Sequence, residues 1–488
     1  MNRLQALTAV FGMLIIGSTA AQPEPTLLGL EDVIALARGQ SPAAKQAETR
    51  LKNRYWQYRL FRSDYNPQLA LQGQIPGYNR DFLSNRLDDG TINFIDREQF
   101  NSGMNLSLNQ PLALTGGNLS VNSNLNYFSD QILDLTRFNT TVVNLRLDQP
   151  IFGFNPLKWD RLTEPLRYEE SKRSFAEEME FLSREAVSFY FDHLDAQINY
   201  KIASFNLTNN DTIYRIEEGR YNIGTTSKDK LLQVELQLLR SQQDVAQALL
   251  DLETSGLLLR NYLGLRDADT LILSTPDYIP EFTIPLADAL SYAKMNRSDY
   301  IAFERQRLEA ERDVEEAKRQ RIQTNLTAAY GLNSASTELS TAWNDPNVQQ
   351  RIDIGLSVPI LDWGRNRARI ETAMANRELN QYVLDQETEN FDREIITLVR
   401  RFVMLRNQLK IAKKSDEVAD ERYLVAQNRY LTGKVDITNL NIALSEKDEA
   451  KRSYIRALRD YWVAYFDLRR LTLYDFAEER LLYVPEEE

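Results

Sequence analysis

Hydrophobic and polar residues follow two different periods along this chain, and the same order of periods occurs twice. From Leu30 apolar residues recur at positions i, i+3, i+4 and i+7, and the same spacing returns 256 residues later from Leu286. This spacing places the apolar residues on one face of an α-helix. Each short helical pattern is followed by an alternating one with a period of two, and then by a much longer helical pattern. The chain is therefore predicted to be an internal duplication.

The alternating segments predict β-strands with one apolar and one polar face. In the first half they cover about residues 67–150 and form four candidate strands, whereas in the second half they cover about 325–359 and form two. The polar face is rich in Asn, Ser, Asp and Arg. Aromatic residues are predicted at strand ends: Tyr78, Phe100, Tyr127, Phe128, Tyr330 and Trp343. A soluble β-sandwich would also alternate, but a polar lumen and an aromatic girdle favour a β-barrel in a membrane.

A proline ends each strand region, and a very long helical pattern follows it. Pro150 and Pro359 are 209 residues apart, and Gly364 follows the second proline. Proline cannot donate a hydrogen bond to a strand ladder and has a fixed φ, so it suits a corner between a strand and a helix. The helical patterns run from about Leu157 to Tyr221 and from about Arg365 to Leu431. Their narrow apolar stripes predict coiled-coil packing, and each helix would be about 100 Å long.

A glycine interrupts each helical region at the same place in the repeat. Gly224 and Gly433 are 209 residues apart, and an Arg, a Tyr and a Leu recur at the same offset around them. Glycine is the usual residue at a left-handed helix end, so both positions predict tips of helical hairpins. The predicted divisions are a signal peptide at 1–21, repeat 1 at 22–275 with its tip at 221–231, repeat 2 at 276–480 with its tip at 430–440, and an acidic tail at 481–488.

The N-terminus has the three parts of a secretory signal peptide. Met1-Asn2-Arg3 precedes an apolar run and then the small residues Ser18-Thr19-Ala20-Ala21, and cleavage is expected just after Ala20 or Ala21. Beyond this segment the sequence has no run of about 18 apolar residues, so no membrane-spanning helix is predicted. The mean hydropathy of −0.46 is compatible with a β-barrel, whose strands give little hydropathy signal. The net charge of −12 argues against a nucleic-acid partner.

The sequence shows no arrangement typical of a catalytic, cofactor or metal site. It contains no Cys, and its only histidine, His193, lacks partners at a spacing suited to zinc. The adjacent acids Glu177-Glu178 and Glu315-Glu316 point in different directions from a helix, so they do not converge as an acid/base pair. No nucleophile elbow, phosphate-binding loop or dinucleotide fingerprint occurs. We therefore predict that the protein is not an enzyme and uses no cofactor.

The ordered set of elements resembles the TolC-type outer-membrane efflux proteins over nearly the whole mature chain. The resemblance rests on the duplicated order and on two kinds of motif: the corner Pro359-Ile360-Leu361-Asp362-Trp363-Gly364, and the tips Tyr221-Asn222-Ile223-Gly224-Thr225 and Tyr430-Leu431-Thr432-Gly433-Lys434. It implies an α+β membrane protein. In that family a homotrimer builds one outer-membrane β-barrel, continued into the periplasm by a long α-helical barrel of coiled-coil hairpins. The strands of one chain are too few for a conducting barrel.

The resemblance also implies a function. The chain would be an outer-membrane channel of a Gram-negative bacterium that exports small molecules as part of a tripartite efflux system, with a periplasmic adaptor protein and an inner-membrane pump as partners. Adaptor docking is expected at the hairpin tips: Ile223, Gly224, Thr225, Thr432, Gly433 and Lys434. Two alternatives stay open: the outer-membrane duct of a one-step protein secretion system, and a pore-less periplasmic coiled-coil scaffold.

Two features depart from the family pattern. The family has aspartates that form an anionic constriction six residues after each tip glycine, where this chain has Lys230 and Asn439. Asp229 and Asp436 lie nearby but out of register, so these four residues are candidates for a periplasmic gate. The offset between the halves also falls from 256 before the strands to 209 after them, which leaves 47 additional residues in the first half. An extra hairpin there would give a trimer 18 strands rather than 12, unless it folds outside the barrel.

Overall fold

The computed structural model describes residues 27–265, 271–276 and 278–484. The predicted signal peptide at 1–21 and the last four residues of the predicted acidic tail, 485–488, lie outside the described residues. The chain forms two compact units, each built from three stretches of sequence. The tip unit, as we call it, is formed by the described residues within Met1–Pro42, Glu185–Ile279 and Ile411–Arg459, and the sheet unit by those within Ala43–Arg184, Pro280–Lys410 and Asp460–Glu488.

The described helices are α1 (Leu30–Gln40), α2 (Pro42–Asp64), α3 (Pro156–Asn222), α4 (Lys228–Leu263), α5 (Leu286–Asn296), α6 (Ser298–Arg319), α7 (Arg365–Leu431) and α8 (Ile437–Thr472), with a 3-10 turn at Leu339–Thr341. The long helices α3 and α7 each have 67 residues, and α4 and α8 each have 36. The two halves therefore build helical hairpins of equal length. Pro165 lies inside α3 without ending it. Among the described helices, none carries an apolar stretch suited to crossing a lipid bilayer.

The described strands are β1 (Leu27–Leu28), β2 (Gln68–Arg86), β3 (Ile92–Leu112), β4 (Gly117–Asp130), β5 (Leu135–Pro150), β6 (Ile272–Leu273), β7 (Gln323–Ser336), β8 (Asn347–Ser357), β9 (Tyr474–Asp475) and β10 (Arg480–Leu481). Six of them form one antiparallel sheet in the sheet unit, in the order β2-β3-β4-β5-β7-β8. The hairpin β2–β3 is part of this sheet, because β3 pairs with β4 from Gln99 to Leu112. The outer edges of β2 and β8 have no partner strand among the described residues.

The helical part of the sheet unit is held by an apolar core and a buried ionic network. Ala289 and Ala293 of α5 are fully buried against a cluster that includes Phe391 and Ile395 of α7. Nearby, Arg469 of α8 donates hydrogen bonds of 2.8 and 3.2 Å to the Glu180 carboxylate of α3 and one of 2.8 Å to Asp475 of β9. Both acids are almost completely buried. Such charge-assisted bonds fix the relative positions of these three elements.

The tip unit packs the hairpins α3–α4 and α7–α8 around a core that includes Ile213, Val234, Tyr423 and Leu440. The lone histidine of the chain, His193, is buried in the same unit. Its Nδ1 lies 2.9 Å from Ser255 Oγ and its Nε2 lies 3.3 Å from the carbonyl oxygen of Leu271. Burial lowers the pKa of His193 and so favours the neutral ring, which joins elements of the core through these two contacts.

Candidate functional site

Burial along the interior strand β3 is opposite to that of a sheet in a soluble protein. Met104, Leu106 and Leu108 have 40, 45 and 39% of their surface exposed, whereas Ser107 among them is only 6% exposed. The sheet of a soluble protein buries its apolar face and leaves the polar face in water. Because β3 lies inside the sheet, this exposure is not an edge effect. The apolar face therefore requires an apolar environment outside the chain.

The exposed apolar face is continuous across all six strands. Strand register places apolar residues opposite each other in each pair: Leu71 with Leu106, Leu108 with Val121, Val121 with Leu145, Leu147 with Ala328, and Leu326 with Ile354. On the edge strand β8, Ile352, Ile354 and Leu356 are mostly exposed. A contiguous apolar surface of this kind marks a contact with lipid or protein.

Aromatic pairs lie at one end of this apolar face. The rings of Tyr78 and Phe100 are 5.0 Å apart, and those of Tyr127 and Phe138 are 5.2 Å apart. Beyond the first pair the hairpin β2–β3 is mixed: Asp81 and Arg97 form an ion pair, whereas Phe82 and Phe94 are largely exposed apolar residues. Aromatic residues beside an apolar band are typical of a membrane boundary. The prediction that Tyr78, Phe100 and Tyr330 stand at strand ends is wrong: Tyr78 and Phe100 pair in the middle of β2 and β3, and Tyr330 lies in the middle of β7, opposite Leu145.

The corners between strands and helices are at the other end of the sheet. Pro150 is the last residue of β5 and lies opposite Asn325. Pro359 follows β8, and Gly364 has a φ of +84°, a conformation that glycine adopts without strain. The Asp362 carboxylate accepts hydrogen bonds of 3.0 Å from the backbone N–H groups of Gly364 and Asn366, and these bonds lower its pKa. Asp362 thus fixes the turn that begins α7.

The two hairpin tips have the same backbone conformation. Gly224 and Gly433 both have a φ of +73°. In each tip the glycine N–H donates to the carbonyl three residues earlier and the next N–H to the carbonyl five residues earlier, all at 2.9 Å. The left-handed helix ends predicted from the sequence are therefore present. A Cβ at either glycine would meet no atom within 4 Å, so only the backbone conformation requires glycine there.

The six residues predicted for adaptor docking lie in these two turns. All six are exposed, and Ile223 exposes 75% of its surface although it is apolar. Two of the hydroxyls are used within the turns: Thr225 Oγ1 donates to the carbonyl of Arg220 at 3.0 Å, and Thr432 Oγ1 to that of Asn428 at 3.1 Å. The side chains of Ile223 and Lys434 extend from the two turns into solvent.

A cleft of about 550 Å³ lies between the two tips. At its base the Tyr430 hydroxyl donates to Glu217 Oε1 at 2.9 Å, and Arg220 Nη1 donates to the same oxygen at 2.6 Å. Burial alone would raise the pKa of Glu217, but hydrogen bonds from Tyr430, Arg220 and Thr226 lower it below the usual value. Burial and the neighbouring carboxylate raise the pKa of Tyr430 to about 12. This network joins α3 to α7.

Sequence reasoning did not identify Glu217, and the reason is that the repeat is broken there. The residue 209 positions later is Ala426, so the acid has no counterpart in the second half. The two tyrosines of the repeat also differ: Tyr430 is 4% exposed, whereas Tyr221 is 40% exposed. The only sequence feature pointing to this site was the recurrence of Arg and Tyr before each tip glycine.

The four gate candidates lie at the starts of the returning helices, and all four are exposed. Asp436 Oδ1 accepts hydrogen bonds from the backbone and side-chain amides of Asn439, at 3.0 and 2.8 Å, and so caps α8. Ser227 Oγ caps α4 by accepting from Lys230 N at 3.4 Å. Lys230, Asp436 and Asn439 line the tip cleft, whereas Asp229 does not.

In the described part of the chain, no group of three or more His, Cys, Asp or Glu is placed to hold a metal ion.

Comparisons with known proteins identify relatives of this fold. A model of the Outer membrane efflux protein family matches residues 290–472. Among solved structures, a membrane protein from Pseudomonas aeruginosa is 17% identical with a TM-score of 0.64, covering 93% of this chain and 92% of its own. The Campylobacter jejuni CmeC outer membrane channel is 15% identical with a TM-score of 0.64, covering 91% and 85%. The Neisseria gonorrhoeae MtrE outer membrane channel is 15% identical with a TM-score of 0.61, covering 93% and 91%.

A comparison with curated protein sequences found no significant match. The resemblance to TolC-type channels that the sequence indicated is nevertheless confirmed, by the family match over residues 290–472 and by the fold over most of the chain. These findings support an outer-membrane efflux channel and a role as a channel rather than an enzyme.

Proposed function

Because this chain resembles the TolC-type outer-membrane efflux proteins in sequence and in fold, we propose that it forms a homotrimeric duct through the outer membrane of a Gram-negative bacterium. Small molecules would leave the cell through it, delivered from the periplasm or from an inner-membrane pump through a periplasmic adaptor. The observation that carries the proposal is the inverted sheet, in which Leu106 is exposed and Ser107 is buried. In such a duct, lipid would contact the apolar face of the sheet and water in the lumen would hydrate the polar face.

The sheet has the geometry needed to close a barrel with other copies. It contains six antiparallel strands, so its edge strands β2 and β8 run in opposite directions, and β8 of one copy can pair with β2 of the next in antiparallel register. Six strands are fewer than the roughly eight of the smallest bacterial barrels, whereas about sixteen or more leave an aqueous channel. Three copies would supply eighteen strands. Closure would also remove the two unpaired edges.

The long hairpins would extend into the periplasm and carry the docking and closing functions. Ile223, Gly224 and Thr225 of one tip and Thr432, Gly433 and Lys434 of the other would meet the adaptor. The Glu217–Tyr430–Arg220 network would hold the two hairpins together in the closed state. Asp229, Lys230, Asp436 and Asn439 would border the entrance. With Lys230 and Asn439 in place of acids, this border would not form the anionic ring typical of the family.

A pore-less scaffold is disfavoured, since it would leave the apolar face of the sheet in water. Arginine substitutions test the proposal directly. Leu106→Arg, Leu145→Arg and Ile354→Arg place a charge on the apolar face, which costs about 2–4 kcal/mol each near the bilayer midplane. We expect these variants to fail to assemble in outer-membrane lipid. The matched variants Asn105→Arg and Asn144→Arg place the same charge on the polar face and should insert normally. Equal insertion of both sets would contradict the barrel.

A further inference from the structure

A cleft of about 760 Å³ lies in the sheet unit, where the sheet meets the helices. Its sheet side is formed by the turn between β3 and β4, including Leu114, and by the end of β5, including Gln149 and Ile151. Its helix side is formed by the first turn of α3 with Lys158 and by the last turns of α6 with Lys318. The cleft belongs to the middle of the sheet, because β4 and β5 are the two central strands of the six.

The two sides of this cleft differ in polarity. On the sheet side Leu114 is 91% exposed and Ile151 is 45% exposed. Gln149 lies on the same face of β5 as Leu145 and Leu147, so the cleft adjoins the apolar side of the sheet. The sheet side of the cleft thus presents the exposed apolar side chains of Leu114 and Ile151 beside the polar Thr115 and Gln149.

Basic side chains dominate the helix side of the cleft. Lys158, Lys318 and Arg377 are exposed, and none forms an ion pair with another described residue. A fourth base, Arg319, is paired with Glu315 at 2.7 Å. The remaining acid of the lining is Glu311. Four bases against two acids leave the cleft positive in a chain whose net charge is −12.

The same positive character extends along all the segments that join sheet and helices. Residues 58–66, 150–162, 317–325 and 358–370 contain ten Lys or Arg, three Asp and no Glu. All ten basic residues are exposed. Exposed apolar and aromatic residues stand beside them, above all Ile360 and Trp363, which are 99% and 90% exposed. Basic and aromatic residues next to an apolar band are typical of the head-group region of a membrane with anionic lipids.

We propose that this cleft is a binding site for an anionic phospholipid of the periplasm-facing leaflet. The lipid phosphate lies against Lys158 and Lys318, and its acyl chains pass Leu114 and Ile151 onto the apolar face of the sheet. Lysine ammonium groups bind phosphate oxygens through charge-assisted hydrogen bonds. In the proposed trimer copies would pair through β2 and β8, whereas β4 and β5 border the cleft. The inference rests on the proposed function, since it requires the sheet to lie in a bilayer.

The test compares the wild-type chain with Lys158→Gln/Lys318→Gln and with the control Lys201→Gln/Lys413→Gln. The control removes two exposed lysines, which form no ion pair with a described residue, from the tip unit. Each protein is inserted into vesicles of phosphatidylglycerol and phosphatidylcholine, extracted in mild detergent and weighed by native mass spectrometry. We expect phosphatidylglycerol to stay bound to the wild type and the control, and most of it to be lost from the cleft variant. Phosphatidylcholine should not be retained.

Full retention of phosphatidylglycerol by the cleft variant would overturn the site, and so would equal retention of phosphatidylcholine by the wild type. Complete displacement of the lipid by excess inorganic phosphate would also overturn it, because that result would indicate a site for a free anion. Insertion into the vesicles is measured on the same samples. If the wild type does not insert, the proposed channel fails. If all three proteins insert and bind lipid equally, the channel stands and only the lipid site fails.

Discussion

Tyr430 donates a hydrogen bond of 2.9 Å to the buried carboxylate of Glu217, and this bond joins the two helical hairpins of the chain. Glu217 lies in the last turns of α3 and Tyr430 at the end of α7. The Arg220 guanidinium contacts the same carboxylate and lies 5.7 Å from the centre of the Tyr430 ring. These three side chains thus link the two tips in addition to the apolar core of the tip unit.

Tyr430→Phe should loosen the tips. The substitution keeps the ring but removes one of the hydrogen bonds to a buried carboxylate, which costs about 1–3 kcal/mol. We expect a larger open fraction in planar-bilayer recordings, with assembly unchanged. Tyr221→Phe is the matched control, because Tyr221 occupies the same place in the repeat but is exposed. An equal effect of both variants, or no effect of Tyr430→Phe, would contradict a closing role for this bond.

The closed state should be destabilised by acid, whereas its stability should not depend on pH near neutrality. The pKa of Glu217 is lower in the folded protein than its unfolded value of about 4.3. Stability from this group is therefore present above the unfolded pKa and lost as the pH falls through the lower, folded pKa. We expect the open fraction to be constant from about pH 5 to 8 and to rise only below about pH 4. In Glu217→Gln this acid transition should disappear; if it persists unchanged, another group causes it.

Bulk at the hairpin tips should abolish export. Gly224→Trp with Gly433→Trp places large side chains where a Cβ meets no atom, so each cost to folding is the backbone strain of about 1–2 kcal/mol at positive φ. Trimers should still form, whereas adaptor cross-linking and efflux should be lost. Gly219→Trp adds the same bulk to α3 near the tip and should retain efflux. Normal efflux in the double tip variant would rule out docking at these turns.

The corner after β8 should depend on the oxygen acceptors of Asp362. Asp362→Ala removes the acceptors for the N–H groups of Gly364 and Asn366 and should lower the free energy of unfolding by about 0.5–2 kcal/mol. Asp362→Asn keeps one acceptor and should lose less. Thermal unfolding of the two variants gives this order directly. If Asp362→Asn lowers the free energy of unfolding as much as Asp362→Ala does, the charge of Asp362 rather than its hydrogen bonds stabilises the turn.

Much of the fold could be predicted from the sequence because its elements have local causes. Alternation predicted strands, long apolar stripes predicted helices, and Gly224 and Gly433 predicted left-handed ends, since each of these depends on residues close in the chain. The position of the hairpin β2–β3 could not be predicted. The alternating pattern of this hairpin is compatible with pairing to any strand. Only the pairing of β3 with β4 shows that the hairpin belongs to the sheet.

The sites were harder to predict, because they depend on contacts between distant segments. Glu217 has no counterpart in the second half, so a comparison of repeats could not reveal its bond to Tyr430. The lipid cleft combines the end of β5 with α3, α6 and Arg377 of α7, which are far apart in sequence. The gate candidates follow from the resemblance to the family, and the helix-capping contact of Asp436 with Asn439 depends on how the chain folds at the start of α8.

The central claim is that copies of this chain share one barrel, and the native mass of the protein tests it most directly. The protein would be extracted from outer membranes in mild detergent, and the mass of bound detergent and lipid subtracted. We predict a mass near three mature chains, with six strands contributed by each. A mass of one chain would contradict the account, since a six-stranded sheet with two open edges and an exposed apolar face would then have no partner to close it.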